Sequence, residues 1–178
     1  MADFIRHEFP DTVRSIVGKN DRLIYKGGSG QGIWARGPWV AIFDKLVTDT
    51  AQKGYFPVYL FREDMRGVFL SLNQGMTEAK QEYKSDAKTA LRARAANFRA
   101  ILGSEVSGFS EKPIDLAPSS ASNDTAFYEA GSILAKYYSA DRLPQEEELT
   151  EDLQAVVNLY EALVLTVDPS VKTLMHRV

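Results

Sequence analysis

Tyr55-Phe56-Pro57-Val58-Tyr59-Leu60-Phe61, then Glu63-Asp64-Met65-Arg66-Gly67, then Val68-Phe69-Leu70-Ser71-Leu72, is the passage on which the fold turns. Its outer segments are crowded with aromatic and β-branched residues, which sit well on a pleated surface. The middle segment is turn chemistry, so the three together predict a β-hairpin. Upstream, Arg22-Leu23-Ile24-Tyr25-Lys26 reads as a short strand. A further apolar stretch, Ile33-Trp34 and then Trp39-Val40-Ala41-Ile42-Phe43, is interrupted by Gly37-Pro38. These segments predict a curved, largely antiparallel sheet between residues 22 and 73.

Helical periodicity takes over on both sides. Residues 3–17 carry Phe4, Ile5, Phe9, Val13, Ile16 and Val17 at near-helical spacing, with Pro10 as a break or kink. After Thr77, a long helix is predicted over 78–102, with Tyr83, Ala87, Leu91, Ala95, Phe98 and Leu102 on its apolar stripe and Gly103 as its stop. Ala117 to Asp124 is a loop by composition. A helix is expected over 126–138, and a last one from near Thr150 to about 165, its acidic entry suiting the positive end of a helix dipole. The expected class is α/β of the α+β type: about four or five strands packed with several helices. One domain is expected over 1–168, with a strand-rich region at 22–75 and helices over 78–165. Asp168-Pro169-Ser170 then opens a linker over 169–178.

Composition excludes several chemistries. Among 178 residues there is no cysteine, so disulfides, thiol catalysis and thiolate zinc sites are out. His7 and His176 stand near opposite ends, and no Ser/His triad or histidine metal cluster is readable. No nucleophile–base pair is evident either, so the chain reads as a binding module with no cofactor and no metal. The N-terminus lacks signal-peptide character, and the longest apolar runs fall far below the roughly 20 residues of a membrane span. A cytoplasmic protein without membrane contact is expected.

The net charge of −3 conceals an asymmetry. Residues 1–110 hold 16 Lys+Arg against 12 Asp+Glu, whereas residues 111–178 hold 5 against 12. The basic part contains the features that suit nucleic acid. Five glycines lie between Gly27 and Gly37, giving a backbone that can turn sharply or approach a ligand closely. No Walker pattern is present, and Ile33 to Phe43 reads as strand where a dinucleotide site needs a helix. Trp34 and Trp39, the only tryptophans, flank this loop, with Lys26 and Arg36 nearby. Period-2 alternation puts Trp39, Ala41 and Phe43 on one strand face, and Phe56, Val58 and Leu60 on a face of another. Such aromatics serve either as core or as a platform for an unpaired base. Lys80, Lys84, Lys88 and Arg92 form a slanted ridge on a continuous helix, able to follow a phosphate backbone or simply to be solvated.

Four elements in fixed order give a family resemblance. They are the loop Gly30-Gln31-Gly32-Ile33-Trp34, Gly37-Pro38-Trp39, the strand Gly54-Tyr55-Phe56-Pro57-Val58, and Val68-Phe69-Leu70-Ser71-Leu72. This pattern resembles the N-terminal DNA-binding domain of McrB-type modification-dependent restriction proteins, densely over residues 22–75. The resemblance implies an α/β unit that reads a modified base in double-stranded DNA, methylated cytosine above all, by turning it out of the duplex. It implies a base pocket lined by Trp39, Phe56 and Leu60, and a DNA-approach loop of Gly30, Gln31, Gly32 and Trp34. Phosphate contacts are expected from Lys26, Arg36, Lys80, Lys84, Lys88 and Arg92. Gln31 stands where relatives can carry an aromatic; it can hydrogen-bond a base edge but cannot stack. An effector motor or nuclease, as a fused domain or a subunit, is the implied partner. The other readings are a protein-interaction module and a reader of methyladenine or RNA.

Overall fold

In the computed structural model, which describes residues 1–29, 37–103 and 108–168, the predicted hairpin is the centre of an open five-stranded antiparallel sheet. The strands β1 (Leu23–Gly28), β2 (Trp39–Asp44), β3 (Tyr55–Phe61), β4 (Gly67–Gln74) and β5 (Leu134–Ser139) lie side by side in chain order. The β2–β3 ladder joins Trp39–Ala41 to Val58–Leu60 and ends short of Pro57, whose ring nitrogen has no hydrogen to donate.

Helices cover both faces. A turn of π-helix (Phe4–Glu8) runs into α1 (Phe9–Val17). Pro10, whose ring nitrogen has no hydrogen to donate, stands just after the change from one helix type to the other, so it neither ends the helix nor separates its two parts. Phe9 packs 4.9 Å from Tyr59. On the same face, α5 (Glu146–Val167) buries Leu153, Val156, Tyr160 and Leu163. The Asp44 backbone N–H donates to the Tyr160 hydroxyl at 3.0 Å, and the Tyr138 hydroxyl donates to Asp152 at 2.7 Å. On the opposite face, α4 (Asp124–Gly131) is held by buried amides of β4. The Asn73 Nδ2 donates to the Tyr128 carbonyl at 3.0 Å. The Gln74 Nε2 donates to the Leu91 and Gly131 carbonyls at 2.9 and 3.1 Å. The Tyr128 and Gly131 carbonyls belong to the last turn of α4, where intrahelical partners run out, so these amides satisfy acceptors at the helix end.

Two expectations are corrected. The segment expected as a helix over 126–138 divides into α4 and β5. Leu134-Ala135-Lys136-Tyr137-Tyr138 pairs with the free edge of β4, Leu72↔Leu134 through Gly67↔Ser139. That edge, 60 residues upstream, outweighs the local helical reading. The helix expected over 78–102 is also broken, into α2 (Thr77–Tyr83) and α3 (Ala87–Leu102), with Lys84 at φ 50° between them. In consequence Glu82 meets Arg94 at 3.5 Å. Twelve residues of continuous helix would separate them by about 18 Å. Ser85 and Asp86, residue types that favour helix starts, stand at the break.

Candidate nucleic-acid interface

The cross-strand register assembles a row from separate parts of the chain. Gly28 pairs with Trp39, Trp39 with Leu60, Leu60 with Phe69, and Phe69 with Tyr137. Directly opposed residues point to the same face, so this row crosses the sheet on the α4 side. At its β1–β3 end opens a cleft of about 980 Å³ with Trp39 and Leu60 in its lining. That volume is within the roughly 300–1,000 Å³ of ligand sites. Ala51 and Gln52 of the β2–β3 loop, Thr77 of α2, and Asn123, Thr125 and Tyr128 at the start of α4 complete much of the wall.

Trp39 is half-buried, and its placement depends on Gly28. A Cβ on residue 28 would lie 2.5 Å from the indole Cε2, a separation no packed structure allows. The indole therefore rests on bare backbone, and it meets Phe43 edge-on at 6.5 Å. Gly28→Ala is expected to displace the indole while leaving Trp39 itself in place. The measurable outcome is a changed tryptophan emission and a loss of ligand discrimination of at least about fivefold, in the range of one weakened stacking contact. Unaltered emission would mean that the indole does not depend on the glycine.

The other two pocket candidates fare differently. Leu60, directly opposite Trp39, lines the cleft. Phe56 shares its face, as alternation requires, but stands four residues away along β3, about 13 Å. It is fully buried and packs edge-on against Phe43 at 4.9 Å; it does not line the cleft. The approach loop Gly30, Gln31, Gly32 and Trp34, together with Arg36, lies outside the described residues. The residues on either side of that segment, Ser29 and Gly37, both line the cleft.

The basic ridge is not a ridge. With the helix broken at Lys84, Lys80 and Lys88 converge on Phe127 of α4, their ammonium groups 4.1 and 5.1 Å from its ring centre. Lys80 also pairs with Asp124 at 2.7 Å, and Lys88 donates to the Ala121 carbonyl. Lys26 is exposed and donates to the Asp49 carbonyl at 3.0 Å. Lys84 and Arg92 are exposed, with no ion pair among the described residues.

Several lining residues carry no sequence signal that places them here. Tyr128 is buried, and no described residue bonds its hydroxyl. Burial, with Asp124 nearby, pushes its phenol pKa upward, so the group stays neutral and able to donate. Asn123 is legible as a helix-start residue; its Oδ1 accepts from the Ala126 N–H at 3.0 Å, starting α4 two residues before 126. Its Nδ2 donates to Glu63 at 2.7 Å, and the Ser119 N–H donates to the other Glu63 oxygen, also at 2.7 Å. Glu63 thus braces the 119–125 wall against the β3–β4 turn.

Partial burial raises the Glu63 pKa, but Thr125, Ser119 and Asn123 outweigh that effect and leave it lowered. A depressed carboxylate pKa stabilises the fold above the unfolded value, near 4.5. That contribution is lost as the pH falls through the native value. The melting temperature of the wild type should therefore exceed that of Glu63→Gln at pH 7, and the gap should close on acidification below about 4.5. A gap that stays constant down to pH 2.5 would exclude this role.

Among the described residues, no group of three or more His, Asp or Glu side chains is placed to hold a metal ion. No helix among them is long and apolar enough to cross a membrane. The fold is that of an α/β domain whose open antiparallel sheet presents a half-buried tryptophan beside a recess of ligand-site volume. The sequence profile of the MrcB-like N-terminal domain matches residues 1–165, and the chain belongs to that family. Membership fits a DNA-binding module of restriction proteins, in a family of binding rather than catalytic domains. No curated protein matches the chain.

Proposed function

We propose that this domain is the specificity module of a modification-dependent restriction system. It binds double-stranded DNA and receives a modified cytosine, 5-methylcytosine or a close relative, in the cleft beside Trp39. The observation that carries the reading is the cleft itself: a half-buried indole and Leu60 in its lining, with a Tyr128 hydroxyl that no described residue satisfies. A base stacks on an aromatic face regardless of its identity, and polar groups in the wall then distinguish its edges. A stacked base inside a duplex cannot reach such a recess, so the proposal includes flipping. Cleavage belongs to an effector motor or nuclease that acts as its partner.

The test is fluorescence anisotropy with one duplex carrying cytosine, 5-methylcytosine, 5-hydroxymethylcytosine or N6-methyladenine at a single position. The expected result is a tighter curve for a modified cytosine over a weak, salt-dependent background shared by all four. Four coincident curves would remove the reader function and leave the protein-interaction reading. A preference for methyladenine would keep the cleft and change the base.

A further inference from the structure

Two charged residues stand among the described residues of the cleft lining, and one of them is already neutralised. Asp124, one charged residue of the lining, is paired with Lys80. Arg6 is the other among the described residues. It is exposed, and no described carboxylate pairs with it, although Asp3 and Glu8 lie on the same helical segment. Asp3 instead faces His7 at 3.8 Å.

The position of Arg6 is enforced by backbone packing. The π-helical turn Phe4–Glu8 lies so close to β1 that a Cβ on Gly27 would collide with the Ile5 carbonyl and sit 3.3 Å from the Arg6 Cα. Only glycine permits that approach. Ile5 is buried, anchoring the turn from below, and π-turns of this kind are frequent at functional sites. Gly27 and Gly28 therefore have separate tasks. One admits the turn that carries Arg6, and the other admits the Trp39 indole.

We infer that Arg6 is a phosphate clamp of the cleft, holding a backbone phosphate that flanks the nucleotide whose base enters beside Trp39. This rests on the reading of the cleft as a base pocket. A base drawn out of a duplex brings its sugar and two phosphates to the cleft mouth, and a guanidinium binds a phosphate with two parallel hydrogen bonds. The site then selects a nucleotide within a strand rather than a free base. Arg6 contributes to the bound state of modified DNA more than to background binding, since only the flipped nucleotide brings its phosphates there.

The experiment pairs Arg6→Gln with a duplex holding one modified cytosine and a neutral methylphosphonate at either flanking phosphate. Arg6 is exposed, so the variant is expected to fold as the wild type does. Arg6→Gln should weaken binding of the unsubstituted modified duplex about tenfold at low salt, the scale of one charged hydrogen bond. It should also lower the salt slope of log Kd by about 0.9 and change plain-duplex binding little. At one of the two phosphates, methylphosphonate should cost the wild type a similar factor and cost Arg6→Gln nothing further. Losses that multiply at both phosphates, or an Arg6→Gln curve matching the wild type, would overturn the clamp while leaving the reader function standing. A wild type without preference for modified DNA would overturn both.

Discussion

Trp39→Ala is expected to abolish the preference for modified over plain duplex while leaving the salt-dependent background within about twofold. Base–aromatic stacking is worth roughly 1–3 kcal/mol per base, or about 5- to 150-fold in affinity. Background binding draws on phosphate contacts that do not touch the indole. Trp39 is half-buried and packs on Gly28 and Phe43, so some loss of stability accompanies the change. That loss should stay within the roughly 0.5–3 kcal/mol of ordinary substitutions, leaving folded protein to titrate at low temperature. Trp39→Phe, which keeps a smaller aromatic face, should retain part of the preference. Equal weakening of both duplexes by Trp39→Ala would show that the indole serves the fold alone.

Phe56→Ala should do the opposite. Phe56 is completely buried, edge-on to Phe43 in the middle of the sheet's packed face. Truncating a buried phenylalanine costs about 3–5 kcal/mol through lost transfer energy and the remaining cavity. Against a typical domain stability of about 5–15 kcal/mol, that is a large fraction, visible as a fall in the urea midpoint. In the population that remains folded, discrimination between modified and plain DNA should be near that of the wild type. A variant of unchanged stability that no longer discriminates would place Phe56 in the base site after all. The two substitutions separate two residues that share one sheet face.

The strand region was legible because its information is local. Alternation, aromatic and β-branched residues, and a turn of charged residues and glycine can all be read within about 20 residues. The helix starting near Thr77 was legible for the same reason, whereas its break at Lys84 was not, since no proline or glycine marks it. What stabilises the broken form is distant in sequence: Arg94 reaching Glu82, and Lys80 and Lys88 both reaching Phe127. Likewise, Leu134–Ser139 becomes a strand because β4 offers an unpaired edge, a fact absent from the segment itself.

The candidate site divides along the same line. Sequence alone determined that Trp39 and Leu60 belong to a sheet near a glycine-rich loop, and the order of motifs pointed to the family. Both follow from short-range constraints: strand pleat, turn chemistry and residue spacing. Tertiary structure decided which of Trp39, Leu60 and Phe56 meets the cleft, because alternation assigns a face and not a position along the strand axis. It also decided the fate of the charges: Lys80 is spent on Asp124, while Arg6, with no motif around it, comes to the cleft through a close approach of helix to strand at Gly27. Charge and aromaticity are properties of residues; availability to a ligand depends on which other parts of the chain have already satisfied them.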